Sequence, residues 1–220
     1  VNHILIIDRD SYMNIKKFFQ DLEISNTNYL YSLHISNKKG IYSSINQALD
    51  ILADHQLYLV LGAGDILKMH AKVNFESHNQ IFYFSYCLSS DIGKLVNKFR
   101  NIFLGMPYCH NALIFRKNKL RYNQFYSLSA DYEYYLKYKN NSNSQIKLSK
   151  KNIFMKEIKS GYVIYENEKG ISSKKKWLVN MQNLLIILKN FSVFGVFIHL
   201  FLLLFKFFYR TYKILKKIFD

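Results

Sequence analysis

The sequence predicts an α/β fold in which a mostly parallel sheet is flanked by helices and followed by a C-terminal helical tail. In the first 65 residues, short apolar runs of strand length alternate with segments whose apolar residues have helical spacing. Half of the 220 residues are hydrophobic and 17% are aromatic, which excludes a disordered or collagen-like chain. The composition changes after residue 173, so we expect a domain over 1–173 and a tail over 174–220.

The predicted elements follow in order along the chain. Residues 3–7 form a continuous apolar run, which is typical of a strand buried on both faces. A polar loop follows, and the next apolar residues, in 13–22, have helical spacing. The same alternation predicts further strands at 29–35, 57–61, 80–88 and 112–116, and helices at 41–53 and from residue 130.

Carboxylates follow the first and third predicted strands. Asp8 and Asp10 come after the first, and Asp65 comes after the third, beside Gly62 and Gly64. Ligands of parallel α/β sheets bind at the carboxyl ends of strands, so these loops are candidate sites. Asp65 can hold a divalent cation against a diphosphate, and the glycines let the backbone approach closely. Each carboxylate can instead cap a following helix, which is the more common role for an isolated Asp65.

Two later segments also carry candidate residues. Asp131 begins a predicted helix, where it can act as a general base toward a sugar hydroxyl or as a helix cap. Residues 105–111 contain the only proline, Pro107, which orients the residues after it. His110 can donate a hydrogen bond to a substrate or bond a buried carbonyl. Because adjacent side chains diverge, Cys109 and His110 do not form a nucleophile–base pair.

The charge of the chain points to a polyanionic partner. Lys and Arg number 31 against 15 Asp and Glu, which gives a formal net charge of +16. Nucleic acid, an anionic membrane surface or a phosphorylated substrate would each suit that charge. The basic residues concentrate beside a long apolar run, which nucleic acid does not require, so we expect no nucleic-acid partner. The two cysteines fit a reducing compartment.

The tail has the pattern of a membrane-associated helix. Residues 191–205 are apolar except for three positions, and Lys206, Arg210, Lys213 and Lys217 share one helical face. A basic amphipathic helix with aromatic residues is typical of an anionic membrane interface. A single membrane span and a helix that packs on its own domain are the alternatives.

Five segments, taken in their order, carry a resemblance to a known family. They are IIDRDS at 6–11, GIYSSIN at 40–46, LGAGD at 61–65, GMPYCHNA at 105–112 with SADYE at 129–133, and KGIS at 169–172. They resemble the family motifs IDGGS, GIYDAMN, LNAGD, GMPxCHQA with ISADYD, and GGIS. The chain is thus similar to bacterial family 2 glycosyltransferases of the GT-A fold, in the group linked to colanic acid and capsule synthesis.

The resemblance implies an inverting, metal-dependent hexosyltransferase that moves a sugar from a nucleotide-sugar, expected to be a UDP-sugar, to a lipid-linked or other saccharide acceptor. It implies that Asp131 is the general base and that Asp65 holds Mg²⁺ or Mn²⁺ on the donor diphosphate. The implied donor-binding residues are Asp8, Asp10, Asn46, Gly64 and Asp65, and the implied acceptor-binding residues are Met106, Pro107 and His110. The expected location is the cytoplasmic face of a bacterial inner membrane.

Departures from the family pattern cluster in the donor half. Arg9 and Asp10 replace the two glycines of IDGGS, Ser43 replaces the Asp of GIYDAMN, and Gly62 replaces the Asn of LNAGD. The strand that precedes IDGGS in the family has no counterpart in this sequence. Two explanations fit: a truncated or decaying transferase, or a fragment whose first strand lies on another piece of sequence. These departures leave an alternative function: a catalytically impaired, membrane-associated binding module of the same fold.

Overall fold

The computed structural model describes residues 3–8, 30–36, 40–62, 64–71, 75, 81–92, 94–96, 101–146, 155–165 and 174–219. The predicted helix at 13–22, Asp10 and the segment 169–172 lie outside these residues.

The first two strands and the first helix match the predicted alternation. Strands β1 (His3–Asp8) and β2 (Leu30–Ile35) pair in parallel, with His3 opposite Leu30 and Asp8 opposite Ile35. Gly40 follows with a φ of 104°, a left-handed value that favours glycine, and helix α1 (Ile41–Ile51) begins directly after it. Helix α1 packs against β1, so this part of the chain has the predicted parallel strand–helix arrangement.

A five-stranded sheet forms the body of the protein, and it is mixed rather than mostly parallel. Its strands are β3 (Leu57–Leu59), β4 (Ile66–Met69), β5 (Ile81–Leu88), β6 (Leu113–Arg116) and β7 (Met155–Tyr165), in the spatial order β3-β6-β5-β7-β4. Among the described strands of this sheet, β5 and β7 are the one parallel pair.

The expectation of a mostly parallel sheet is therefore wrong for this part of the chain, and the reason lies in the connections. A parallel pair needs a long crossover, which is usually helical. Between β5 and β7 the chain passes through β6 and helix α2 (Ala130–Ile146), whereas the described residues between β5 and the antiparallel β6 contain no helix longer than a three-residue 3₁₀ turn.

Tyrosines fill much of the core between the sheet and the helices. The rings of Tyr122 and Tyr134 stack with centroids 4.1 Å apart, and the Tyr58 hydroxyl donates to the Tyr134 hydroxyl at 2.8 Å. The Tyr138 hydroxyl donates to the carbonyl of Arg116 at 2.8 Å. Because buried hydroxyls cost free energy unless they are hydrogen-bonded, these bonds let a polar aromatic residue serve as a core residue.

The tail is one long helix with a break. Helix α3 (Lys176–Phe219) is interrupted at Ser192, whose φ of 61° and ψ of −170° are not helical. In its first half, Ile186 and Ile187 are fully buried against the body, and Gln182 accepts a hydrogen bond from the backbone N–H of Leu128 at 2.9 Å. The helix begins close to the predicted boundary at residue 173, but its first half belongs to the core of the domain. Among the described residues it is the helix long and apolar enough to cross a membrane.

Candidate functional site

Asp65 closes the connection between strands β3 and β4. Its Oδ2 accepts hydrogen bonds from the backbone N–H of Gly62 at 2.8 Å and from the side-chain amide of Asn111. Its own N–H donates to the Gly62 carbonyl at 3.1 Å, and Gly64 supplies a φ of 93° inside the turn. A strand follows Asp65, not a helix, so the capping alternative is wrong for this residue.

Asp131 lies in the first turn of α2. Its Oδ1 accepts hydrogen bonds from the backbone N–H of Tyr132 at 2.9 Å and from the hydroxyl of Tyr42, in α1, at 3.2 Å. Burial, and then the negative charge of Asp131, raise the pKa of Tyr42 well above its ordinary value, so this hydroxyl stays protonated and donates. The carbonyl of Ser129 accepts the first hydrogen bonds of the helix, from the N–H groups of Tyr132 and Glu133. Ser129 is therefore at the cap position, and Asp131 lies inside the first turn.

The segment 105–112 passes near both carboxylates. Burial raises the pKa of Cys109 to about 12, and the charges of Asp65 and Asp131 act in the same direction. Burial also raises the pKa of Tyr165, at the end of β7, with contributions from Cys109, Asp65 and Asp131. Both carboxylates therefore lie within electrostatic range of the same thiol and the same phenol. The fold brings together two residues that are far apart in sequence and that the motifs singled out.

The predicted acceptor residues have core contacts. His110 bonds the Tyr122 hydroxyl through Nε2 at 2.8 Å, not the backbone carbonyl considered from the sequence. Burial lowers the pKa of His110, which keeps the imidazole neutral, although the charge of Asp131 acts in the opposite direction. Pro107 is buried, and Met106 packs against the tyrosine-rich core. Acceptor binding by these three residues stays a prediction.

Besides Asp65, three of the predicted donor-binding residues lie in the described part of the structure. Asn46 joins α1 to the segment before α2, because its amide donates to the Tyr122 carbonyl and accepts from the Tyr122 N–H, each at 2.8 Å. Gly64 lies in the Asp65 turn, Asp8 ends β1, and Asp10 lies outside the described residues. Donor binding by Asp8, Asp10, Asn46 and Gly64 also stays a prediction.

The side chains around Asp65 limit the kind of metal site that it could join. Within the described ranges, no group of three or more His, Cys, Asp or Glu side chains could hold an ion. Mg²⁺ commonly takes one or two protein carboxylates and completes its shell with substrate phosphates and water. Two donors fix the orientation of the Asp65 carboxylate. Metal binding by Asp65 stays a prediction.

Three residues that the sequence did not single out contribute to this neighbourhood. Asn111 donates to Asp65, Tyr42 donates to Asp131, and the hydroxyl of Tyr165 lies within electrostatic range of both carboxylates. Asn111 and Tyr42 fall inside two of the recognised motifs, so those motifs carried a signal for them. Tyr165 ends a strand that the sequence pattern did not predict.

Comparison with protein-family models, curated proteins and solved structures finds no match to this chain. The family resemblance therefore rests on the order of the motifs in the sequence.

Proposed function

We propose that this protein is a glycosyltransferase that moves a sugar from a nucleotide-sugar to a lipid-linked or other saccharide acceptor at a membrane surface. The observation that carries the proposal is that the segment 105–112 meets both carboxylates: Asn111 donates to Asp65, and the neighbouring Cys109 lies within electrostatic range of Asp65 and Asp131. In the motif order, Asp65 belongs to the donor half and Asp131 to the acceptor half. A transferase needs those two carboxylates close together, one at the leaving diphosphate and one at the attacking hydroxyl.

In the proposed reaction, an acceptor hydroxyl attacks the anomeric carbon of the donor. The new carbon–oxygen bond forms as the bond to the diphosphate breaks, the nucleoside diphosphate leaves, and Asp131 takes the hydroxyl proton. The Tyr42 hydroxyl orients the Asp131 carboxylate, since it stays protonated at its donor position. The attack comes from the side opposite the leaving group, so the configuration is inverted.

Asp65 is the residue proposed to hold Mg²⁺ or Mn²⁺. The ion would offset the charge that develops on the leaving diphosphate. Gly62 and Asn111 hold the carboxylate in place before the donor binds, which reduces the reorganisation needed on binding. The donor is proposed to be a UDP-sugar because the motifs resemble those of transferases that use such donors.

The test is donor turnover by the full chain in mild detergent with Mn²⁺. Release of nucleoside diphosphate is followed for a panel of nucleotide-sugars, with and without added acceptor lipid. Asp65→Ala and Asp131→Asn should each lower release by at least about a hundredfold, the size typical for the loss of a metal ligand or general base. Asp91→Ala and Asp91→Asn are the matched controls, because Asp91 is exposed in a 3₁₀ turn and pairs only with the exposed Lys94 in the described structure.

Binding separates the proposal from its alternative. The impaired binding module would bind a nucleotide-sugar in calorimetry with Mn²⁺ present and release no diphosphate. Release that is equal in the wild type and in Asp65→Ala would overturn the proposed site. Release that depends on Asp65 but not on Asp131 would keep the donor site and reject the general base.

A further inference from the structure

In the described part of the structure, helix α3 has one face covered by the body and another that is apolar and exposed. The covered face carries Gln182, Asn183, Ile186 and Ile187, which are all buried. Gly105 packs so tightly against this face that a Cβ added there would lie 2.6 Å from Nδ2 of Asn183. Lys189 joins the same interface through an ion pair with the buried Glu133 at 3.2 Å. The helix is thus a structural part of the body.

The second face is apolar and exposed. In the first half of the helix it carries Trp177, Met181, Leu185 and Leu188, with exposed fractions from 43% to 70%. Their spacing of four, four and three residues confines them to an arc of about 80° at 100° per residue. The buried residues lie on the opposite side of the helix. Because one side is fixed to the body, the other side points away from it.

The exposed face continues beyond Ser192. Phe194, Phe197, Phe201, Leu204 and Phe208 follow one another at steps of three and four residues, and each is more than half exposed. The opposite side of this second half first contacts the body, where His199 is buried and its Nδ1 bonds the Phe103 carbonyl.

That opposite side then becomes basic. Lys206 and Lys213 follow His199 at steps of seven residues, which places them on the same face of a helix. Both are exposed. On each side of the break at Ser192 the helix therefore has an exposed apolar face. The opposite side contacts the body up to His199 and is basic at Lys206 and Lys213.

The contacts to the body determine how such a helix can meet a membrane. A span would need about 20 apolar residues in the hydrocarbon. The stretch between Lys189 and Lys206, residues 190–205, is shorter than that, and within it His199 is buried and bonded to the body. A helix that crossed the bilayer there would have to give up its bonds to Glu133 and Phe103.

We propose that α3 lies flat in an anionic membrane surface with its exposed apolar face in the lipid, and that it holds the α/β body directly on that surface. The inference specifies the membrane contact of the proposed function, but it does not depend on glycosyl transfer. The positive charge of the helix favours anionic lipids. The helix contains no Asp or Glu from Lys176 to Phe219, and Lys174, Lys175 and Lys176 precede the exposed Trp177. An anionic leaflet attracts such cations by about 1 kcal/mol each, whereas a second copy of the helix would bring like charges together.

Trp177 is the only tryptophan of the chain, which makes it a direct probe of the contact. The full chain is mixed, without any sugar donor, with vesicles of phosphatidylcholine alone or with phosphatidylglycerol added. We expect the Trp177 emission to shift to shorter wavelength and the protein to float with the anionic vesicles. Quenching should be strongest for lipids labelled near the headgroup. Soluble dimers that ignore vesicles would overturn the proposal in favour of self-association.

A pair of variants tests whether the exposed apolar face of α3 binds the lipid. Leu185→Glu should weaken binding to anionic vesicles by about tenfold, because it places a charge in the lipid-facing stripe. Asn180→Glu adds the same charge to the same helix at an exposed position outside that stripe and should change binding far less. Equal loss in the two variants would mean that net charge alone, and not the apolar face, binds the membrane.

Cysteine labelling distinguishes a helix that lies on the membrane from one that spans it. Lys213→Cys is produced in a bacterial host, and inverted inner-membrane vesicles are treated with a membrane-impermeant maleimide. Ser90→Cys, which is exposed on the body, marks the body side, and the native cysteines give little background because Cys87 is buried and burial raises the pKa of Cys109. We expect both engineered cysteines to react without detergent. Reaction of Lys213→Cys only after detergent would show a span and overturn the proposal, whatever the result of the donor-turnover assay.

Discussion

The carboxylate of Asp65 is held by its own turn and by one distant side chain, Asn111. The Gly62 N–H belongs to the same turn, so it fixes the carboxylate as soon as the turn forms. Asn111 comes from the segment that also carries Cys109 and His110, and its hydrogen bond ties that segment to Asp65. The Asn111 amide therefore joins the proposed donor site to the proposed acceptor segment.

Removing the Asn111 amide should weaken the binding of Mn²⁺ at the proposed site. We expect Asn111→Ala to raise the Mn²⁺ concentration for half-maximal diphosphate release by about tenfold or more, the usual cost of losing an outer partner of a metal ligand. The measurement is release against Mn²⁺ concentration at saturating donor. Asn180→Ala, at an exposed position of α3, serves as the control. An unchanged Mn²⁺ dependence would mean that Asn111 only packs the segment.

Candidate site residues stand out in the sequence only where a motif assigns them a role. Asp65 and Asp131 stand out because each lies in a short motif, LGAGD for Asp65 and SADYE for Asp131. The side chains that orient them do not stand out, since a hydrogen bond between Tyr42 and Asp131 joins positions 89 residues apart. Nothing in local spacing encodes such a pairing, which depends on how α1 and α2 pack.

At the scale of the element, Gly105 determines how closely α3 approaches the body. Its φ of 113° and ψ of −157° belong to a region that is essentially restricted to glycine. We expect Gly105→Ala to lower the free energy of unfolding by about 2 kcal/mol, from backbone strain and from the contact with Asn183. Urea unfolding in mild detergent measures this.

Gly40 offers the matched control for that variant. It also has a left-handed φ, but a Cβ there would have nothing within 4 Å, so Gly40→Ala isolates the backbone cost. Adding Asn183→Ala to Gly105→Ala should recover the part that is due to the contact. Equal losses for Gly105→Ala and Gly40→Ala would show that the tight approach to α3 does not contribute.

The ion pair between Glu133 and Lys189 joins α2 to α3. The Oε1 of Glu133 is bonded to Nζ of Lys189 at 3.2 Å and to Nζ of Lys137 at 3.1 Å, and its side chain is fully buried. A double-mutant cycle of Glu133→Gln and Lys189→Met should give a coupling free energy of about 1 kcal/mol. The same cycle on the exposed pair Asp91–Lys94 should give less than about 0.5 kcal/mol. Equal couplings would mean that burial of Glu133 does not strengthen the pair.

Strands that the sequence pattern missed explain why the sheet topology was predicted incorrectly. Strand β7 lies inside the sheet, yet its sequence contains Lys156, Glu157, Lys159 and Gly161, which interrupt the apolar alternation. Strand β4 has only four residues, and three of them are exposed. Continuous apolar runs such as β5 were predicted closely, because burial on both faces leaves a clear signal.

At the scale of the whole molecule, the core depends on neutral tyrosines. The chain has 18 tyrosines, and several of them pack together under the sheet with their hydroxyls bonded to one another or to backbone. Burial raises the pKa of Tyr134 to about 12 and raises the pKa of Tyr58 and of Tyr122 well above the ordinary value. The native state therefore keeps protons that the unfolded chain releases near pH 10.

Stability should consequently fall at alkaline pH. Below pH 10 both states hold these protons and the contribution is complete; above it the unfolded state binds fewer protons than the native state, so the free energy of unfolding decreases as pH rises. We expect the part of the tyrosinate absorbance at 295 nm that comes from the buried tyrosines to rise in one cooperative step above pH 10, at the same pH at which the far-ultraviolet circular dichroism is lost. A gradual rise centred near pH 10 with unchanged dichroism would mean that the tyrosine core is open to solvent. A cooperative step would show that sheet, α1 and α2 depend on a single buried cluster.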